Sequence, residues 1–203
     1  MPAAKSSSDS GETQLELIAS RLTRRAALRL DVDEPARRAA VTLILRDTPR
    51  GDLELLLIRR AVYEGDPWSG HIALPGGRRE PGDTSLEQTA LRETREEIGI
   101  DLAATGRVLG ALDELQPRTP VLPPIVITPF VAAVSGDPTL ILSSEVAEAF
   151  WVPVLLLQDP AISREVSIRL SGANRQVASF QLRQHTVWGL TERILRQFLE
   201  LLR

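Results

Sequence analysis

The chain has 203 residues, 43% of them hydrophobic and 25% charged, with a formal net charge of −3. This is the balance of a soluble globular protein with one sizeable core, and the negative charge argues against a nucleic-acid surface spread over the whole chain, so no nucleic-acid partner is expected. There is no cysteine, which excludes disulfides, thiolate metal sites and cysteine nucleophiles. The apolar runs are too short to span a bilayer, and the N-terminal Pro-Ala-Ala-Lys-Ser-Ser-Ser-Asp has no apolar signal core, so no membrane partner and a cytoplasmic location are expected.

Residues 1–12 are rich in Ser, Gly and Asp and read as a disordered tail. Leu15, Leu17, Ile18, Leu22 and Ala26 recur at helical spacing, predicting an amphipathic helix over 13–29 within an N-terminal extension of residues 13–34. Arg38–Leu45 and Leu53–Ile58 read as two strands of a hairpin around Pro49 and Gly51. Residues 62–70 form a loop, and His71–Leu74 a short strand entering Pro75-Gly76-Gly77. A helix is predicted over 84–98, with Thr84 and Glu87 as a capping box and Gly99 ending it. Its buried face would be Leu86, Ala90, Thr94 and Ile98 with Leu91, and Thr89, Glu93, Glu96 and Glu97 would lie on another. Strands follow at 107–112, 125–133 and 149–152, with a proline-rich loop at 117–124. A hairpin of 167–170 and 177–182 and an amphipathic helix over 187–202 close the chain. The alternation of elements is that of one α/β domain with helices on both sides of a mixed sheet.

Within the helix at 84–98, Glu93, Glu96 and Glu97 stand at i, i+3 and i+4, on one face of one turn. Like charges at that spacing repel, and two of them sit near the helix C-terminus, where the macrodipole disfavours negative charge. A sequence that tolerates this has a cation to place there. A hard divalent ion such as Mg²⁺ takes oxygen ligands and is held by one or two carboxylates plus substrate phosphates.

From Gly76 the sequence runs Gly-Gly-Arg-Arg-Glu-Pro-Gly-Asp-Thr-Ser-Leu-Glu-Gln-Thr-Ala-Leu-Arg-Glu-Thr-Arg-Glu-Glu-Ile-Gly-Ile. This resembles the Nudix box of the Nudix hydrolases, and the likeness extends over residues 36–203. Arg92, Glu93, Glu96, Glu97, Gly99 and Ile100 match its second half. Asp83 stands where the pattern has a Glu, eight residues rather than seven separate it from Arg92, and Thr94 fills an apolar slot. Asp83 is given no site role. The resemblance implies the Nudix fold, an α/β/α sandwich around a mixed β-sheet, as a hydrolase domain over 35–203 behind the N-terminal helical extension. It implies that Glu93, Glu96 and Glu97, aided by the backbone carbonyl of Gly77, bind Mg²⁺ or Mn²⁺, that Arg92 orients the carboxylates, and that Glu97 and Glu93 belong to the catalytic set. Either Glu93 or a later glutamate, for which Glu145 is the candidate, would take the proton of the attacking water. The substrate would be a small nucleoside diphosphate linked to a second group, cleaved at its diphosphate linkage. Homodimers are common in the family, and by analogy the N-terminal helix could serve an interface.

Leu56-Leu57-Ile58-Arg59-Arg60-Ala61, Gly70-His71-Ile72-Ala73-Leu74-Pro75-Gly76-Gly77, Val126–Val131 and His185–Thr191 are similar to the coenzyme A pyrophosphatase branch of that family. Gly65 lies where that branch has an Arg, and Leu74 where it has a Phe. Coenzyme A or its derivatives lead as substrates, with ADP-ribose, dinucleoside polyphosphates and nucleoside triphosphates behind. A non-catalytic nucleotide-binding module is the alternative class. Among other residues, Trp68 and Tyr63 are aromatic candidates for ligand contact, and Arg78 and Arg79 for diphosphate contact. Trp151 and Trp188 are expected in the core, His71 facing outward, and His185 in a structural hydrogen bond at the start of the last helix.

Overall fold

The computed structural model describes residues 13–32, 37–65, 68–117, 124–170 and 173–203. The predicted tail over 1–12, residues 118–123 of the proline-rich loop and residues 171–172 of the second hairpin lie outside the described residues. The main sheet holds β1 (Arg37–Asp47), β2 (Leu53–Arg60), β3 (Ile72–Ala73), β4 (Gly76–Arg78), β5 (Gly106–Ala111), β6 (Ile125–Val134) and β7 (Val146–Pro153). Its order is β3-β2-β1-β6-β5, with β4 also on β1 and β7 also on β2. β1 and β2 form the expected antiparallel hairpin, whereas β1 and β6 run parallel, which makes the sheet mixed. The helices are α1 (Gln14–Arg24), α2 (Leu86–Ile98), α3 (Leu102–Thr105), α4 (Val154–Leu157) and α5 (Gly189–Leu201). None among the described residues is long and apolar enough to cross a membrane.

Both faces of the central strands are apolar, as expected for a sheet covered on two sides. Leu43, Leu45, Leu55 and Leu57 join Ile18 and Leu22 of α1 and Ile194, Leu195 and Phe198 of α5 in one cluster. Ile44, Leu56 and Ile58 join Ile98 of α2 in the other. The result is an α/β/α sandwich with α1 and α5 on one side and α2 on the other.

Three local expectations are corrected. The first helix ends at Arg24, because the following segment is held extended by side chains distant in sequence: Asp113 pairs with Arg25 and accepts from the Leu28 N–H, and Glu114 accepts from the Leu30 N–H at 2.8 Å. The last helix begins at Gly189, because residues 185–188 form β10 (His185–Trp188), which pairs with β9 (Ala173–Leu182). With β8 (Ser163–Leu170) these make a separate three-stranded sheet, so the second hairpin does not join the main sheet. His185 is therefore a strand residue rather than one at the start of the last helix.

The topology opens a fork. β1 pairs with β4 through Ala39–Val41 and with β2 through Leu45–Asp47. Its two antiparallel partners separate between those positions, where the Thr42 N–H donates to the Pro75 carbonyl at 2.8 Å. α2 lies over this fork.

Candidate functional site

α2 starts one residue later than the sequence predicts. Ser85, not Thr84, is the N-cap and accepts from the Gln88 N–H at 3.1 Å, while the Gln88 side chain takes the Thr84 N–H at 3.1 Å. The predicted Thr84–Glu87 capping box is therefore not formed: Gln88 at N3 reaches past the N-cap to the Thr84 N–H, so only the Ser85 half of the pattern is present. Gly99, at φ +76, ends the helix in the left-handed region open to glycine. The division into apolar and acidic faces is also corrected. Thr89, at 0% exposure, and Glu97, at 4%, are as buried as Ala90, Thr94 and Ile98, and only Glu96 of the three glutamates stands in solvent.

Glu97 therefore carries its carboxylate into the fork. Its Oε2 accepts the Gly76 N–H at 2.9 Å. Burial pushes its pKa up to about 7, against the lowering effect of that hydrogen bond and with further raising by the charges of Glu93 and Glu145. Glu93 is raised as well, mainly by burial, with Arg92 opposing and Glu96 and Glu145 adding repulsion. Glu93 lies directly against the Gly77 backbone: a Cβ at Gly77 would stand 2.4 Å from Glu93 Oε1 and 2.5 Å from its carboxyl carbon. Space, rather than an unusual φ, demands glycine here. Gly77→Ala is expected to displace the Glu93 carboxylate and weaken divalent-ion binding about tenfold or more, as a ligand shift of this size would; Mn²⁺ titration of the purified variant checks it.

The turn also decides which carbonyl faces the carboxylates. Thr42 N–H to Pro75 and Arg79 N–H to Arg38 (2.9 Å) are rungs of the β1–β4 ladder, and Ala40–Gly77 lies midway between them. Alternation makes Ala40–Gly77 a hydrogen-bonded pair and turns the Gly76 backbone outward, where its N–H meets Glu97. The Gly77 carbonyl is thus committed to β1, and that of Gly76 faces the site.

Arg92 organises the other side. Its Nη1 donates to Glu93 at 3.0 Å and Glu96 at 2.9 Å, and its Nη2 donates to the Arg78 carbonyl at 3.0 Å. Its Nε and Nη2 grip Asp83 at 3.1 and 3.0 Å, a bidentate pair. Asp83 is 7% exposed and also accepts the Glu80 N–H and the Thr89 hydroxyl, each at 2.9 Å. The bonds from Arg92, opposed by burial, hold its carboxyl far below the usual range. Asp83 is the residue that sequence reasoning left out; its signal was a carboxylate standing where the resemblance expects one.

Glu145 is brought to the same place by the segment before β7. The Ile141 and Ser143 N–H groups donate to the carbonyls of Ile98 and Glu97, both at 2.9 Å, serving carbonyls that the end of α2 leaves open. Ser143 Oγ then accepts the Glu145 N–H at 3.2 Å, and the Ala61 N–H donates to the Glu145 carbonyl at 2.8 Å. The Tyr63 hydroxyl donates to the Ser144 carbonyl at 2.7 Å, so Tyr63 borders this corner; Tyr63 and Trp68 are 47% and 40% exposed. Arg79 donates to the Asp83 carbonyl at 3.2 and 3.0 Å, so it braces the loop. His71 is partly buried, edge-on to Trp188 at 4.8 Å, and His185 stacks on Phe150 at 4.6 Å. Trp151 is partly buried beneath the Arg46 guanidinium, 4.1 Å from its ring centre.

The groups that could hold a cation here, Glu93, Glu96, Glu97, Glu145 and a backbone carbonyl, all offer oxygen. That suits a hard divalent cation. Among the described residues no three acidic or imidazole side chains are already closed around one point as a preformed metal cage. Mg²⁺ sites of the kind completed by waters and substrate phosphates need none.

The NUDIX domain family matches residues 36–170. An uncharacterized protein of Schizosaccharomyces pombe is 36% identical over 164 residues, covering 71% of this chain and 50% of that protein, so the chain spans half the length of this relative. An uncharacterized Nudix hydrolase, NudL, of Yersinia pestis is 35% identical over 163 residues, covering 79% of this chain and 77% of the relative. Among solved structures, a MutT/nudix family protein from Enterococcus faecalis superposes with a TM-score of 0.56 at 20% identity, over 91% of this chain and 73% of that one. An Ap4A hydrolase of C. elegans gives 0.50 at 24% identity, over 59% of this chain and 82% of that one. These two likenesses bear on the fold alone. The sheet fork, the helix laid across it and the matched sequence together show that the chain belongs to the Nudix hydrolase family.

Proposed function

We propose that the protein is a metal-dependent pyrophosphohydrolase that cleaves the diphosphate linkage of a nucleoside diphosphate joined to a second group. The observation that carries this is the placing of Glu97, Glu93 and the outward Gly76 carbonyl at the fork, with Glu145 near enough for its charge to act on both carboxylates. Glu93, Glu96 and Glu97 would hold Mg²⁺ or Mn²⁺. Of the two glycine carbonyls, the ladder register favours that of Gly76 over that of Gly77 as the backbone donor. Bound there, a divalent ion supplies Lewis-acid chemistry, polarising a phosphorus and lowering the pKa of the attacking water. Arg92 holds Glu93 and Glu96 in place through one nitrogen. Glu93 or Glu145 accepts the water's proton, since the charges of both act on Glu97 and neither is fully buried.

Residues 35–203 would form the hydrolase domain, and residues 13–34 an extension fastened to it by Asp113 and Glu114. Coenzyme A or a derivative leads as substrate, supported by the Leu56–Ala61 and Gly70–Gly77 sequences that flank the 62–70 loop. The test is a product analysis with Mg²⁺ and with Mn²⁺ over coenzyme A, acyl-coenzyme A, ADP-ribose, diadenosine polyphosphates and nucleoside triphosphates. The expected result is metal-dependent release of phosphopantetheine and 3′-phosphoadenosine 5′-monophosphate from coenzyme A. Cleavage of another member instead discards the coenzyme A reading and keeps the chemistry. Silence across the panel with both metals counts against hydrolysis.

A further inference from the structure

A diphosphate approaching this fork meets Glu93, Glu96, Glu97 and Glu145, and the arginines around them are mostly occupied. Arg92 spends its Nε and both Nη atoms on Asp83, Glu93, Glu96 and the Arg78 carbonyl. Arg79 is turned onto the Asp83 carbonyl. Arg38 faces the buried Glu114. Arg60 lies beside Glu97 and lowers its pKa. Arg78 differs. Its side chain is exposed and makes no hydrogen bond or ion pair among the described residues.

Its backbone, by contrast, is fixed on two sides. Arg78 is paired with Ala39 of β1, and its carbonyl is held by Arg92 Nη2 at 3.0 Å. It follows Gly77, whose Cα is packed against the Glu93 carboxylate. Since Gly77 would direct a Cβ toward Glu93, strand alternation sends the Arg78 side chain off the other face of β4. A fixed backbone carrying an unspent guanidinium fork, one residue from the glycine that packs on Glu93, is suited to bidentate contact with a phosphate.

We propose that Arg78 is the cation by which this chain binds the substrate's diphosphate, gripping it across β4 from the carboxylates, while Arg79 is a structural brace. The proposal rests on the pyrophosphohydrolase reading and divides two arginines that are adjacent and alike in sequence.

The experiment measures binding of inorganic pyrophosphate in the presence of Mn²⁺ by calorimetry for the full chain, Arg78→Ala, Arg78→Lys and Arg50→Ala. Binding of Mn²⁺ alone is measured in parallel. Arg50 is exposed in the β1–β2 turn and controls for the loss of one positive charge. Arg78→Ala is expected to weaken pyrophosphate binding about tenfold or more, a loss typical of charge-assisted bonds. Arg78→Lys should recover part of it, because it keeps the charge and loses the fork. Mn²⁺ affinity should stay within about twofold, as Arg50→Ala should for both ligands. With a cleaved substrate, KM should rise while kcat changes little. Wild-type pyrophosphate affinity in Arg78→Ala overturns the assignment and leaves the hydrolase reading standing. Absence of metal-dependent pyrophosphate binding by the unaltered chain overturns that reading, and the assignment with it.

Discussion

Glu97→Gln is expected to abolish turnover and, at the same time, to make the metal-free protein more stable at pH 8. Removing one charged ligand from an ion that stabilises transition-state charge should cost at least about 100-fold in kcat, read from steady-state rates on the cleaved substrate. The fold should survive, because glutamine keeps the shape and an oxygen able to accept the Gly76 N–H. Retained activity in this variant would remove Glu97 from the ligand set.

The stability gain follows from proton linkage. The folded chain holds the Glu97 proton up to about 7, against 4.5 for an ordinary glutamate, because burial disfavours the charge. A carboxyl with a raised folded pKa contributes stability that is fully present below the unfolded value and is lost as pH rises through the folded one. At pH 8 the metal-free protein therefore bears a buried carboxylate costing up to about 3 kcal/mol. Glutamine carries no such cost. Denaturant melts in a chelator should show Glu97→Gln more stable than the unaltered chain at pH 8 and the advantage shrinking toward pH 5. Added Mn²⁺ should raise the melting temperature of the unaltered chain and leave the variant nearly unmoved. A site that destabilises its own fold until a cation arrives is the arrangement expected where charge is kept for chemistry.

The spacing of Glu93, Glu96 and Glu97 was enough to place three carboxylates on one helical turn, and Gly99 was enough to end it, because the helical period and the left-handed conformation open to glycine are both local properties of the chain. The depth of Glu97 was not legible. It lies three residues from Thr94 and four from Glu93, inside the arc that faces the sheet, yet its residue type argues for solvent; only packing over the β1 fork resolves the conflict. Asp83 was given no role and Glu145 was reached only as a candidate, for a different reason. Their positions are set by contacts between segments, Asp83 by the Arg92 guanidinium and Glu145 by N–H groups that serve the end of α2, and no periodicity within either segment encodes them. The same holds for the end of α1 and for β10, where Asp113, Glu114 and the partner strand β9 override helical spacing. The orientation of the two glycines needed the strand register: sequence marks both as places where backbone comes close, and only the ladder shows which carbonyl is free.

Asp83→Ala is expected to damage both fold and function, although Asp83 bears on no substrate in this reading. The carboxylate receives two bonds from Arg92, one from the Thr89 hydroxyl and one from the Glu80 N–H, all within a nearly buried corner. Its removal leaves the fully buried Thr89 hydroxyl only the weaker 3.3 Å contact to the Ser85 carbonyl and frees the guanidinium that positions Glu93 and Glu96. Breaking a pair of this kind from one side should cost about 3 kcal/mol, readable as a lowered denaturant midpoint with an unchanged slope. Divalent-ion affinity and kcat should fall together, since the same arginine serves both carboxylates. Asp83→Asn separates charge from shape: it retains an acceptor for Thr89 but not the ion pair, so it should recover part of the stability and little of the metal affinity. The depressed pKa of Asp83 adds a signature in acid. Its contribution is fully present above about 3.8 and is lost as pH falls below that value, so the gap in stability between the unaltered chain and Asp83→Asn should be constant at neutral pH and close only in strong acid. A gap that closed between pH 5 and 7 would mean that the stabilising partner of Arg92 is a different carboxylate.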